Sequence, residues 1–126
     1  MQPRQILRRQ LERLSERGLE AFVGTELEFL VFTESYRDAF TSGYRDLRTA
    51  SRHNSDYALT GLERLEPVVR RIRREMRGAG LRLESARGEV HPGQYEIVFR
   101  PEDAMAACDG AVLYRTGAKE IAAQEG

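Results

Sequence analysis

Apolar and polar positions alternate through Glu26-Leu27-Glu28-Phe29-Leu30-Val31. In an extended chain Leu27, Phe29 and Val31 fall on one side, and Glu26, Glu28 and Leu30 on the other. The pattern predicts one strand over about residues 20–32. Ahead of it, Ile6, Leu7, Leu11 and Leu14 recur at helical spacing among Arg8, Arg9, Glu12, Arg13, Glu16 and Arg17. That is an amphipathic helix over residues 3–17, with Pro3 suited to its first turn and Gly18 to its C-terminal cap. Residues 33–60 show neither period. They are polar and turn-rich, and they hold Tyr36, Tyr44 and Tyr57. So long a stretch is expected to be a functional lid or a disordered segment, and its aromatic residues argue against disorder.

Helical spacing returns with Leu62, Leu65, Val69, Ile72 and Met76, which predicts a second helix over 61–77. Pro67 belongs in a first turn, so the regular helix is expected from about Glu66. Residues 81–86 and 94–100 each alternate as strands, with Tyr95, Ile97 and Phe99 on one face and Glu96 and Val98 on the other. Pro92-Gly93 marks the turn of a hairpin between them. A long helix is predicted over 101–125, with Ala104, Ala107, Ala111, Tyr114, Ala118 and Ile121 along one face and negative charge from Glu102 and Asp103 in its first turn. The sum is an α+β fold in one domain spanning 1–126: an antiparallel sheet of three or four strands with about three helices.

Composition narrows the classes of function. At 126 residues, 40% apolar and 32% charged, the chain is that of a globular domain. A formal net charge of zero gives it no overall attraction to nucleic acid or membrane. Arg70, Arg71, Arg73, Arg74 and Arg77 crowd one helix, as a nucleic-acid interface would, but nearby acids and the zero balance favour a solvated face. No apolar run approaches the roughly 20 residues of a bilayer span. The N-terminus lacks the apolar core of a secretory signal, and the single cysteine, Cys108, has no internal disulfide partner. These features point to the cytoplasm. Cys108 reads as a small apolar residue on a helix, and His53 as a surface residue. Neither a phosphate-cradling glycine loop, nor Cys/His metal spacing, nor a nucleophile triad is present.

What remains is carboxylate chemistry. Glu26 and Glu28 stand side by side on one strand face, where they repel. Either the face is solvated or a divalent cation neutralises it. Glu89 and Glu96 flank the Pro92-Gly93 bend. If the hairpin packs beside the first strand, Glu28, Glu89 and Glu96 converge on one site suited to a hard cation such as Mg²⁺ or Mn²⁺. Such an ion neutralises phosphate charge in phosphoryl transfer. Spacing alone does not separate this from four glutamates aligned by chance.

The motifs themselves go further. Gly24-Thr25-Glu26-Leu27-Glu28-Phe29 resembles the G-x-E-x-E-F strand of glutamine synthetases. The stretch from Gly88 through Glu96, Gly-Glu-Val-His-Pro-Gly-Gln-Tyr-Glu, resembles their E-V-x-P-G-Q-x-E segment. Lys119-Glu120-Ile121-Ala122 is similar to the K-x-x-A helix that follows. The three occur in the family's order, and the similarity runs from Pro3-Arg4-Gln5-Ile6-Leu7 to the end. The resemblance implies a partial glutamine synthetase catalytic-domain fold. It also implies an ATP-dependent ligase, in which ATP phosphorylates the γ-carboxylate of glutamate and ammonia or an amine displaces phosphate. The active site would be a metal-lined funnel between neighbouring subunits of a homo-oligomeric ring. Carried over by position, Glu28, Glu89 and Glu96 would hold a first Mg²⁺ or Mn²⁺, and Glu26 would belong to a second on the ATP phosphates. No catalytic residue is carried over.

Tyr44-Arg45 and Asn54-Ser55-Asp56-Tyr57 resemble the branch that ligates glutamate to polyamines or other amines. The family's N-terminal small domain and, beyond residue 126, its H-x-H segment, arginine clamp and last metal-binding glutamate have no counterpart in these residues. The chain is therefore expected to be the first half of a catalytic domain, inactive by itself. The alternative is a non-catalytic half-fold that self-assembles or pairs with a full-length relative.

Overall fold

A computed structural model describes residues 2–58, 60–63 and 65–125. In chain order the elements are α1 (Pro3–Ser15), β1 (Phe22–Val23), β2 (Glu26–Leu30), α2 (Tyr36–Thr41), α3 (Glu66–Gly78), β3 (Leu83–Gly88), β4 (Gln94–Phe99), β5 (Glu102–Asp103) and α4 (Ala104–Glu125). The main sheet is antiparallel with order β2-β4-β3, and β1 pairs with β5 in a separate two-stranded ribbon.

The alternation in β4 organises the core. Tyr95, Ile97 and Phe99 are buried on one face, which α3 and α4 cover with Ile72, Met76, Tyr114 and Ile121. The Phe99 and Tyr114 rings meet edge to face, 4.9 Å apart. Leu65, Val69 and Tyr95 form a second cluster against Phe29 and Val31. Burying each of the larger side chains contributes roughly 1.5–3 kcal/mol. Helices α3 and α4 thus occupy one face of the sheet, and the glutamates of β2 and β4 project from the other.

Three sequence expectations need correction. The strand expected over 20–32 is two short strands, because the chain changes partner at Gly24-Thr25. Phe22 and Val23 pair with Asp103 and Glu102, whereas Glu26 onward pairs with β4. The last helix starts at Ala104 rather than at Pro101. Glu102 and Asp103 are held as a strand, and the Asp103 carboxylate accepts from the N–H groups of Met105 (3.0 Å) and Ala106 (3.2 Å), which caps the first turn. The stretch 33–60 contains a helix, α2, so there are four helices rather than three among the described residues. Its cap is reciprocal: the Asp38 N–H donates to Ser35 Oγ at 3.1 Å, and the Ser35 hydroxyl donates to the Asp38 carboxylate at 2.7 Å. The same stretch is tied to the rest of the fold by Phe32–Thr49 and Asp56–Gly88 bridges, and an Arg48–Glu34 ion pair at 2.8 Å holds it together internally.

One irregularity matters for the site. Leu83 lies opposite Phe99 but Ser85 lies opposite Val98, so Glu84 is an extra residue in the ladder. Strict alternation from Leu83 would send Arg87 inward. The bulge reverses the parity, so Ala86 packs on the core and Arg87 emerges opposite Glu96 on the outer face.

The arginines of α3 are largely committed within the chain. Arg70 pairs with Glu66 at 3.1 Å, Arg71 with Glu125 at 2.7 Å and Arg74 with Glu75 at 2.9 Å. Among the described residues no helix is long and apolar enough to cross a membrane.

Candidate metal centre

Two strands and the turn that follows a third bring three carboxylates to one spot. Glu28 on β2 is directly opposite Glu96 on β4, and Glu96 is in turn opposite Arg87 on β3. Glu89 follows β3 by one residue, and its N–H donates to the Gln94 carbonyl at 2.9 Å, which keeps the hairpin closed beside the other two. One carboxylate oxygen from each of Glu28, Glu89 and Glu96 lies within 4.8 Å of the others. Oxygens coordinating a single Mg²⁺ at about 2.1 Å lie no more than about 4.2 Å apart. Side-chain adjustments of well under an ångström each close that gap, so the donor set fits such an ion.

Glu96 is the buried member, only 2% exposed. Burial pushes its carboxyl above the usual carboxylate range, and Glu26 and Glu89 push it further, while Arg87 pulls it back. Its Oε2 has no directed hydrogen bond, although Arg87 Nη2 stands 2.6 Å away as an ion pair. A buried carboxylate with an unfilled lone pair and two negative neighbours is a group that a divalent cation stabilises. Glu28 is steadied by Gln94, whose side-chain amide donates to its Oε2. The same Gln94 accepts from the His91 N–H at 3.1 Å through its Oε1, so the Pro92-Gly93 turn is coupled to the cluster.

Glu26 sits apart. It lies opposite Val98, two residues from Glu28 on the same face, and it is not one of the three converging ligands. Among the described residues no second group of three metal-ligating side chains forms around it. His53 is exposed in the loop, and Cys108 lies half-buried on α4, in the opposite layer.

Arg87 escaped the sequence reading, and Tyr57, singled out there in the loop, was not linked to the carboxylates. Arg87 contacts both Glu96 and Glu89, the latter at 3.5 Å from its Nε. Tyr57 lays its ring 5.3 Å from the Arg87 guanidinium carbon. The loop that carries Tyr57 is seated by Ser55, packed so tightly on Gly88 that a Cβ there would lie 2.3 Å from the Ser55 hydroxyl. Counting from Leu83 sends Arg87 inward unless the bulge is placed, whereas its i, i+2 spacing to Glu89 puts the two on one face and is the signal that could have found it.

The arrangement can hold one hard divalent ion with its open side toward solvent. The model of the glutamine synthetase catalytic domain matches residues 1–126. The chain is 59% identical over 124 residues to gamma-glutamylethanolamide synthetase of Streptomyces coelicolor, covering 98% of this chain and 27% of that protein. It is 30% identical over 126 residues to glutamate–isopropylamine ligase of a Pseudomonas species, covering 100% of this chain and 28% of that protein. Among solved structures, a glutamine synthase homologue superposes with a TM-score of 0.78 at 26% identity, over 98% of this chain and 26% of that one. The chain thus spans about a quarter of the length of these relatives. With its whole length matched and its antiparallel sheet and helices in the family's arrangement, this chain belongs to the glutamine synthetase family, within the catalytic domain.

Proposed function

We propose that these residues form the first-metal wall of a ligase that joins glutamate to an amine at the expense of ATP. The observation that carries this reading is the convergence of Glu28, Glu89 and Glu96 on the open face of the sheet. When bound, Mg²⁺ or Mn²⁺ would supply Lewis-acid neutralisation of carboxylate and phosphate oxygens. The chain's own part is to hold that charge in place. Glu96, desolvated between Glu28 and Arg87, is fixed by the sheet. Glu28 is oriented by Gln94, and Glu89 is carried at the hairpin's shoulder. Glu26, farther along the same face, is positioned for a second ion on the ATP phosphates, whose remaining ligands would come from outside the described residues.

In the full reaction the γ-carboxylate of glutamate takes the terminal phosphoryl group of ATP. The amine nitrogen then attacks the acyl phosphate, phosphate leaves, and a γ-glutamyl amide remains. The 59% identity to an enzyme named for γ-glutamylethanolamide favours a small primary amine such as ethanolamine over ammonia as the nucleophile. Such sites lie between subunits in the family, and exposed Phe22, Phe40 and Val112 fit assembly into a cytoplasmic homo-oligomer.

The test is an exchange. Replacing the matching quarter of the Streptomyces synthetase with these 126 residues should preserve γ-glutamylethanolamide formation, with ethanolamine turned over faster than ammonia. Glu96→Gln in that chimera should abolish it, and the 126-residue chain alone should form no product. A folded chimera indifferent to Glu96→Gln would refute the site. Product from the chain alone would refute its dependence on the rest of the domain.

A further inference from the structure

We propose that Arg87 is a resident counter-cation of the carboxylate cluster, which a divalent ion displaces toward the Tyr57 ring. The proposal rests on the metal reading above and adds a device that sets the affinity of the site. The guanidinium engages two of the three ligands, Glu96 at 2.6 Å and Glu89 at 3.5 Å, while Glu28 accepts instead from Gln94. Both Arg87 contacts are incomplete. Arg87 Nε and Glu96 Oε2 are buried, and neither has a directed hydrogen bond. One positive charge among three carboxylates leaves the cluster net negative, so a doubly charged ion gains more there than the guanidinium does. Both cations would crowd Glu96, where their charges repel.

The side chain already has a further contact that it keeps if it leaves the carboxylates. Tyr57 faces the guanidinium from the loop side, with its ring already 5.3 Å away. Its backbone is held at φ 51°, in the left-handed region, and Ser55 and the Asp56–Gly88 bridge clamp the same loop to β3. The ring stands beside a side chain that is 31% exposed and whose Nη1 also donates to Ser85 Oγ at 3.4 Å. In the ion-free chain Arg87 quenches repulsion within the cluster. In the loaded chain it rests on Tyr57 with its donors turned toward solvent.

The experiment is a titration of the 126-residue chain with Mn²⁺, followed by electron paramagnetic resonance of the free ion at one pH and ionic strength. Arg87→Gln should bind Mn²⁺ about tenfold more tightly than the wild type, and Arg87→Lys, which keeps the charge, should stay near the wild type. In the wild type, saturation with Mg²⁺ should shift the Arg87 Nε–H resonance, and Tyr57→Ala should reduce that shift. Equal or weaker Mn²⁺ binding by folded Arg87→Gln, with wild-type binding intact, overturns the role of Arg87 alone. Absence of binding in both overturns the role of Arg87 together with the metal reading. If Arg87→Gln does not fold, an Nε–H signal unmoved by Mg²⁺ in a wild type that binds the ion overturns the proposal by itself.

Discussion

Glu28 and Glu96 face each other directly across the β2–β4 ladder, two carboxylates at one cross-strand position. Opposed like charges weaken a sheet by a few tenths of a kcal/mol to about 1 kcal/mol. The fold retains the pair, with Gln94 steadying one member and Arg87 the other. Glu28→Gln keeps the shape and removes the repulsion. Without divalent ions it should raise the stability of the chain by about 0.5 kcal/mol, measured by thermal melting in chelator. The same variant should lose the stabilisation that Mn²⁺ gives the wild type. A destabilised variant in chelator would show that the pair is held by something other than tolerance of charge.

Gly88 makes the link between the site and the loop at 51–58. A Cβ at that position would meet the Ser55 hydroxyl at 2.3 Å and the Ser55 carbonyl at 2.7 Å, with backbone on one side and no room to yield. Gly88→Ala should therefore destabilise the chain by about 1–3 kcal/mol and lift the loop from β3. Denaturant unfolding reads the first effect. Faster amide exchange confined to residues 51–58 reads the second.

Tyr114 ties α4 to the sheet. Its hydroxyl donates to the Leu27 carbonyl at 3.3 Å, and its ring is buried against Phe99. Burial, followed by the charge of Glu96, pushes the phenol well above its ordinary range. Because the folded value is raised, the neutral phenol's contribution is complete below the unfolded value of about 10 and is lost as pH climbs above it. The chain should lose stability steeply on the alkaline side of about pH 10. Tyr114→Phe should be less stable by about 1 kcal/mol at neutral pH, with a flatter alkaline limb. Parallel alkaline slopes in the two proteins would contradict this.

Much of the layer structure was legible because one face of β4 is wholly apolar. Tyr95, Ile97 and Phe99 alternate without interruption, and α3 and α4 carry matching stripes, so the sheet's inner face followed from period alone. The convergence of Glu28, Glu89 and Glu96 followed once the hairpin was set beside β2. Features that depend on pairing partners were hidden. Nothing in Gly24-Thr25 shows that Phe22-Val23 pairs with Glu102-Asp103 while Glu26 onward turns to β4. The bulge at Glu84 breaks an alternation that reads as regular, and with it Arg87 changes sides. The cap of α2 was written locally, as Ser35 three residues before Asp38, but the turn-rich composition around it masked a helix of only six residues. Glu26, left out of the converging three in the sequence, lies outside them on the sheet face as well.

The central claim is that Glu28, Glu89 and Glu96 form one divalent-ion site, and Mn²⁺ titration of the 126-residue chain with single substitutions tests it most directly. The account predicts one ion per chain in the wild type, with affinity reduced at least about tenfold by Glu89→Gln and by Glu96→Gln, and a much smaller change for Glu26→Gln. Failure of the wild type to bind, or binding unchanged by both Glu89→Gln and Glu96→Gln, would contradict it.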